Sequence, residues 1–382
     1  MKILRFLAST SLKSGGPQNG IKSLSPYLEK NNISTNIISL DENLEEIKGV
    51  EKIFSFKRYT KYNFNLKALF SILTMSKLYK SCDLIIIHGH WQFHVLLGLL
   101  VSLFYKKPYL VMPHGMLDPW FARELNISKI IKKSIWILYE YMLLKNAKFI
   151  CFTSKEELRK SFFTYNSQSN NNIIIPYGIT NNKRNNFKNI TKKKETHFLR
   201  IIYIGRFHKK KNLEALLLAL KDCLKKAIPV KLTLVGEDNS KYSKRILELI
   251  KNLSIKKNIE VIKFITDNRK MNFYNENDFS IVASFQENFC ISAIESISMG
   301  VPVIISNQCD LSSELKNKKI SINISTDVKS ISSGIVQAYD MKKDKKNFLE
   351  MRKRCIKVFN DSYSYKKITP KIIEIYKSSI KQ

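Results

Sequence analysis

Residues 198–225, FLRIIYIGRFHKKKNLEALLLALKDCLK, decide the fold. The run up to Gly205 is almost wholly aliphatic and aromatic, which fits a parallel strand covered on both faces. A basic loop follows, and the leucine spacing from Asn212 to Lys225 predicts a helix. Strand followed by amphipathic helix is the unit of an α/β protein. It recurs downstream in the strand candidates VKLTLVG (230–236), IEVIKF (259–264), FSIVAS (279–284) and PVIIS (302–306). Upstream, KILRFLA (2–8), a helix over 18–29, TNIISL (35–40) and Leu84 to His88 keep the same rhythm. The expected fold class is α/β, in two Rossmann-like, doubly wound halves.

A chain of 382 residues is long enough for two domains with real cores. Residues 181–200 hold seven Lys or Arg and one Glu with little apolar periodicity. The natural division is therefore a domain over 1–180, a basic linker over 181–197, and a second domain from 198. That stretch reads as a solvated connection or as a nucleic-acid-binding arm, and it lacks aromatic stacking pairs. The formal net charge of +33 predicts attraction to an anion: nucleic acid, an anionic membrane or a phosphorylated substrate. A joint richness in Lys, Asn and Ile also fits a bias in base composition.

The cysteines at 82, 151, 223, 290, 309 and 355 show no C-x-x-C spacing and read as reduced core thiols. In MKILRFLASTSLKSGG, Arg5 interrupts the apolar run and no small-residue cleavage site follows, so the expected compartment is the cytoplasm. The longest apolar run, Val95 to Phe104, is far short of the ~20 residues of a spanning helix. Membrane contact is expected to be peripheral.

The chemistry concentrates in ENFCISAIESISMGVPV (287–303). Read as mostly helical, this segment sets Glu287 and Glu295 about 12 Å apart on roughly the same side. One carboxylate can accept hydrogen bonds from sugar hydroxyls and the other from ribose, with a helix N-terminus between them for a diphosphate. Glutamates so spaced are also ordinary on a solvated helix. Arg206 and Lys211, in the loop after Gly205, can clamp a diphosphate and stabilise charge on a leaving nucleoside diphosphate. Lys209 and Lys210 read as solvated neighbours.

In the first half, Gly15-Gly16-Pro17 lies between a strand and a helix, where α/β sheets bind ligands. GGPQNGIKS is not a P-loop, because Ile21 separates Gly20 from Lys22, and no G-x-G-x-x-G follows any strand. ATP hydrolysis and Rossmann-type oxidoreduction are thereby set aside. HGHWQFH carries His88, His90 and His94, but Cys82 and Asp83 fall at the wrong end of the strand to complete a zinc site. PHGMLDPW puts His114 just after the strand candidate Tyr109 to Met112. A neutral imidazole there can hydrogen-bond a substrate hydroxyl or serve as a satisfied structural residue.

Together IGRFHKKKN (204–212), ENFCISAIESISMGVPV, PHGMLDPW (113–120) and IPYGI (175–179) resemble the retaining glycosyltransferases of family 4, which share the GT-B fold. The resemblance runs along essentially the whole chain. SYSYKKITPKIIEIYKSSI (362–380) resembles the segment that crosses back to the N-terminal domain in such enzymes, implying a nucleotide-sugar domain over 198–360 and a crossover helix over 361–382. It implies Glu287 on the donor sugar, Glu295 on the ribose, and Arg206 with Lys211 on the diphosphate. Gly205, Asn288, Phe289 and the backbone near Ile291 and Ser292 complete the donor site. Gly15 and Gly16 would form a flexible loop beside donor and acceptor and count among the donor-binding residues, and His114 would face the transferred sugar.

Transfer in this family proceeds with retention and without an essential metal or other cofactor, which agrees with the lack of Asp-x-Asp here. The leaving phosphate oxygen would help deprotonate the acceptor. The chain departs from the pattern at Asn212 and Cys290, each for a common Gly, at Ser296 for Ala, and at Tyr177 for Asn; Cys290 bears on donor preference. The resemblance implies a hexosyltransferase of surface polysaccharide synthesis (capsule, O-antigen or exopolysaccharide), using a nucleotide-sugar donor and a saccharide or lipid-linked oligosaccharide acceptor. Residues 56–70 and 128–144 would rest on the inner face of an anionic membrane or pack as core helices. The alternatives are a basic nucleic-acid-binding protein, which leaves the motifs unexplained, and a GT-B-fold sugar-nucleotide epimerase.

Overall fold

The computed structural model describes residues 1–11, 16–41, 46–56, 65–119, 139–164, 171–179, 196–265 and 269–381. Residues Met1–Thr180 and Tyr365–Gln382 form a first unit, and Asn181–Ser364 a second. The proposed linker lies, up to residue 195, outside the described residues.

The first sheet has seven strands: β1 (Lys2–Leu7), β2 (Ser34–Ser39), β3 (Lys52–Ser55), β4 (Leu84–His88), β5 (Tyr109–Met112), β6 (Phe149–Phe152) and β7 (Asn172–Ile174). All pairs are parallel, in the order β3-β2-β1-β4-β5-β6-β7. Side chains alternate between faces along each strand. Leu4, Phe6, Ile85 and Ile87 therefore pack on one side with Val95 and Leu99 of the helix Phe93–Phe104. Ile3, Leu84 and Ile86 pack on the other with Leu24 and Leu28 of the helix Gly16–Glu29. The helix Tyr365–Ile380 joins that second face through Tyr365, Ile368, Ile372 and Tyr376. Each such side chain contributes about 1.5–3 kcal/mol when fully buried.

The second sheet has β8 (Leu199–Ile204), β9 (Val230–Glu237), β10 (Ile259–Lys263), β11 (Phe279–Val282), β12 (Val303–Ser306) and β13 (Ser321–Ile324), parallel throughout in the order β10-β9-β8-β11-β12-β13. Leu213, Leu216, Leu217 and Leu220 of the helix Leu213–Lys225 bury their shared stripe against Leu199, Ile201, Leu232 and Leu234.

Both sheets reverse direction at one point, between β1 and β4 in the first and between β8 and β11 in the second. The crevice beyond the strand C-termini at such a point is where an open α/β sheet takes a ligand. The edge strands β3, β7 and β13 were not among the apolar runs, and β3 and β7 are short and incompletely buried. Near the C-terminus the helix Lys345–Ser362 ends where Tyr363 and Ser364 return their amides to the Phe359 carbonyl, and the next helix starts at Tyr365. No helix among the described residues is long and apolar enough to cross a membrane.

Candidate functional site

In the second unit the switch point is built from backbone before side chains. The Gly205 amide donates to Val235 O at 3.0 Å. Gly236 sits at φ +136, and a Cβ there would fall 1.8 Å from Gly205 O, so the ends of β8 and β9 can meet only through glycine. The chain then turns through Arg206, which is exposed and whose carbonyl accepts from the Tyr203 hydroxyl at 2.9 Å. A 3₁₀ turn, Lys209–Lys211, is capped by His208, whose Nδ1 accepts from the Lys210 amide at 3.2 Å. Asn212 follows in the left-handed region at φ 57. Its Nδ2 donates to Ala283 O at 3.1 Å and Thr326 O at 2.7 Å, tying the loop after β8 to the loops after β11 and β13.

That tie brings Lys211 to Glu287. Lys211 Nζ pairs with the Glu287 carboxylate, and Ser284 Oγ donates to Glu287 Oε1 at 3.2 Å. Burial works to raise the pKa of Glu287 toward the neutral form, but Lys211, Lys210 and the Ser284 hydroxyl outweigh it and hold the carboxyl below its ordinary range. Burial likewise pulls Lys211 down, and Glu287 more than restores it, so the ammonium is held above its ordinary value. Both partners are charged across the neutral range.

The helical reading of the 287–303 segment is corrected in one respect. Glu287 precedes the helix, bridging to Cys309 while its carbonyl accepts from the Asp310 amide at 3.0 Å. The helix is Ile291–Ser298, entered through Cys290 at φ 49. Its free first-turn amides fall, in sequence, between the two carboxylates. Only Glu295 is on it, buried, paired with Lys270 Nζ and near the Tyr274 hydroxyl, which lies 3.3 Å from Glu295 Oε2 and 3.0 Å from Ser292 O. Lys270 and Tyr274 come from the helix Lys270–Glu276 and carry no sequence motif. Asn288, Ile291 and Ser292 are half-buried along this path, whereas the Phe289 ring is buried edge-on against Tyr363 at 6.0 Å. The Cys290 thiol is pulled below its ordinary value by a hydrogen bond with Cys309, and burial pushes Cys309 well above.

In the first unit the corresponding point holds a chain of side chains. Arg5 on β1 donates to the Tyr376 hydroxyl at 3.0 Å and to His88 Nε2 at 3.2 Å. A guanidinium has no acceptor, so His88 carries its proton on Nδ1 and gives it toward His114 Nε2, 2.8 Å away. His114 Nδ1 in turn meets the Tyr177 hydroxyl. Burial, with His114, Arg5 and His94 nearby, lowers His88 well below the ordinary imidazole value; burial with His90, Arg5 and His94 lowers His114 to about 3. Both rings are neutral, and both nitrogens of His114 are taken up within its own unit. A sugar hydroxyl would reach His114 only by displacing Tyr177 or by meeting the backbone around it, which is left-handed at His114 (φ 55) and Gly115 (φ 79).

The other histidines diverge. His90 Nδ1 pairs with buried Glu140 at 2.6 Å, and His94 Nε2 donates to His88 O at 2.6 Å. Among the described residues no group of three or more His, Cys, Asp or Glu is placed to hold a metal ion. Gly16 opens the helix Gly16–Glu29, and Gly15 lies outside the described residues. Arg5, His88 and Tyr177 were not among the candidate site residues read from the sequence, and they join His114 here in one chain of contacts. The visible signal was the pair HGH and IPYGI, each just beyond an apolar run.

Residues 182–357 match the family described as Glycosyl transferases group 1. An uncharacterized 41.2 kDa protein in the cps region of Klebsiella pneumoniae is 25% identical over 296 residues, spanning 74% of this chain and 76% of that protein. A glycosyltransferase from Rickettsia africae ESF-5 superposes with a TM-score of 0.80 at 18% identity, over 100% of this chain and 99% of that one. Alr3699/HepE of Anabaena, solved in complex with UDP, superposes with a TM-score of 0.77 at 14% identity, over 99% of this chain and 100% of that one. At these identities the likenesses show the fold: two parallel-sheet, Rossmann-like domains of the GT-B type.

Proposed function

With a group 1 glycosyl transferase domain over residues 182–357 as the premise, we propose that this chain is a retaining, metal-independent hexosyltransferase of family 4 that uses a nucleotide sugar. The observation that carries the reading is the pair of lysine–carboxylate contacts, Lys211 with Glu287 and Lys270 with Glu295, brought to the β8/β11 switch point. Each carboxylate is held by a single ammonium and keeps lone pairs for ligand hydroxyls. Glu295 takes the ribose, held in place by Lys270 and Tyr274. Glu287 takes hydroxyls of the donor sugar. The diphosphate lies between them on Arg206, Lys211 and the first amides of the helix Ile291–Ser298.

As the bond from the anomeric carbon to the β-phosphate oxygen breaks, the new negative charge falls to Arg206 and Lys211. Lys211 needs no proton uptake for this, because Glu287 keeps it protonated. The acceptor hydroxyl attacks from the face the leaving group vacates, and its proton passes to the departing phosphate oxygen. Gly205, Asn288 and Phe289 shape the loops around the donor, Phe289 from behind. The start of the helix at Gly16 belongs beside donor and acceptor, and the turn at His114 belongs beside the transferred sugar. The cps-region relative supports a place in capsule or related surface-polysaccharide synthesis, and the UDP complex of Alr3699/HepE makes uridine nucleotides the first donors to test.

A thermal-shift series with UDP, GDP, ADP and their sugars tests the reading. One nucleotide should stabilise the protein, and Arg206→Ala and Glu295→Ala should each lose the shift. No response to any nucleotide would remove the donor-site assignment, and salt-dependent retention on DNA or RNA would bring the nucleic-acid reading forward.

A further inference from the structure

The helix Leu66–Thr74 is inverted: its inner side is anchored partly by polar groups and its outer side is apolar. Asn65 caps it by accepting from the Ala68 amide at 3.1 Å, which turns Ala68 and Ser71 inward. The Ser71 hydroxyl lies 2.8 Å from the Tyr79 hydroxyl, and the Tyr79 ring is 5.4 Å from that of Tyr105. Tyr105 donates to the Ile72 carbonyl, and Lys107 Nζ donates to Lys80 O at 2.7 Å. These bonds fasten the helix, the turn after it, and the end of the helix Phe93–Phe104 into one surface.

On the outside stand Leu66, Phe70 and Leu73, at 59%, 65% and 64% exposure. Their spacing of i, i+4 and i+7 puts them on one stripe. Leu103 and Phe104, also exposed, end the neighbouring helix. Residues 65–81 and 93–108 contribute Lys67, Lys77, Lys80, Lys106 and Lys107 and no Asp or Glu. The nearest acid in sequence, Asp83, is turned to the Lys2 amide at 2.7 Å.

We propose that this surface of the first unit docks on an anionic phospholipid bilayer, the stripe Leu66, Phe70 and Leu73 entering the acyl boundary and the lysines meeting the headgroups. A protein partner would need its own acidic rim around an apolar centre, whereas an anionic membrane supplies both everywhere. The inference goes beyond the reaction proposed above and does not depend on it. It also narrows the membrane expectation drawn from residues 56–70 and 128–144 to described side chains: within 56–70, residues 57–64 lie outside the described residues, and most of 128–144 does too.

Flotation of the full chain with vesicles tests it, comparing phosphatidylcholine alone with an equimolar mixture of phosphatidylcholine and phosphatidylglycerol. The wild type should float with the anionic vesicles at low salt and be released at high salt. Phe70→Ser with Leu73→Ser should weaken partitioning roughly tenfold or more. Lys67→Glu with Lys77→Glu should weaken it at low salt and remove the salt dependence. The altered side chains are exposed, so the thermal shift with the stabilising nucleotide should stay as in the wild type, which separates this outcome from any failure of the donor site. Equal binding of the Phe70/Leu73 variant, equal binding to phosphatidylcholine alone, or a wild-type dimer that the variant dissolves would each overturn the proposal.

Discussion

Lys211 and Glu287 illustrate how two opposite charges hold each other ionised in a mostly buried position. Lys211→Met leaves a carboxylate without its counter-charge in a mostly buried position, and the second unit should lose about 3 kcal/mol in urea denaturation. Glu287 contributes pH dependence of a definite sign. Its folded value lies below the ordinary 4.5, so its contribution is complete above that pH and disappears as the pH falls through the lower folded value. The histidines of the first unit act over a different window. His114 stays neutral down to about 3 against an ordinary 6.5, so the unfolded chain binds the extra proton and stability rises with pH between those limits. Unfolding free energy measured from pH 3 upward should climb by at most about 1.4 kcal/mol per pH unit for this histidine. His114→Asn should flatten that slope. Arg206, Lys211, Glu287 and Glu295 stood out in the sequence as charged groups beyond strand ends, and the structure pairs Lys211 with Glu287. Lys270 did not stand out, since its role is set by Glu295, 25 residues downstream and brought close only by folding. The engagement of both His114 nitrogens was illegible for the same reason, as Tyr177 lies 63 residues away.

The loops after β8 and β9 fix the site as elements. Gly236→Ala would drive a methyl group into the Gly205 carbonyl, and the strand ends would have to part. We expect a loss of about 2 kcal/mol or more together with loss of the nucleotide shift, read in the same melts. Two left-handed positions give opposite results on replacement by glycine. Cys290→Gly relieves φ 49 but removes a buried thiol hydrogen-bonded with Cys309, and with the two effects opposed stability should stay within about 1 kcal/mol of the wild type. Asn212→Gly relieves φ 57 but deletes both hydrogen bonds to Ala283 and Thr326, and should destabilise by about 1–2 kcal/mol in urea titrations. Most interior strands could be read from sequence because burial on both faces demands unbroken aliphatic runs; the short β6, FICF, was not among them. The segment at Glu287 misled the helical reading because the left-handed Cys290 starts the helix four residues later than the carboxylate spacing suggested.

For the whole molecule, the first unit is discontinuous in sequence. Met1–Thr180 is completed by Tyr365–Gln382, with the entire second unit inserted between. A chain ending at Ser364 would lack Tyr365, Ile368, Ile372 and Tyr376 from the core it shares with β1 and β4. Its first unit should melt well below that of the full chain by circular dichroism, while the second unit keeps its nucleotide response. A single unchanged transition would show that the helix is dispensable. The contacts concerned are distant in sequence: Arg5 meets Tyr376 across 371 residues, and Tyr365 reaches the Gly20 carbonyl across 345. Translation gives that distance a duration. A ribosome adding about 5–20 residues per second needs roughly ten seconds or more to pass from Thr180 to Tyr365. Throughout that interval one face of the first sheet is covered only in part, by the helix Gly16–Glu29, while the second unit, uninterrupted, is free to close. The part of the protein made first is therefore finished last, and in the cell its partly covered strands are the stretch a chaperone bound to the nascent chain would have to shield.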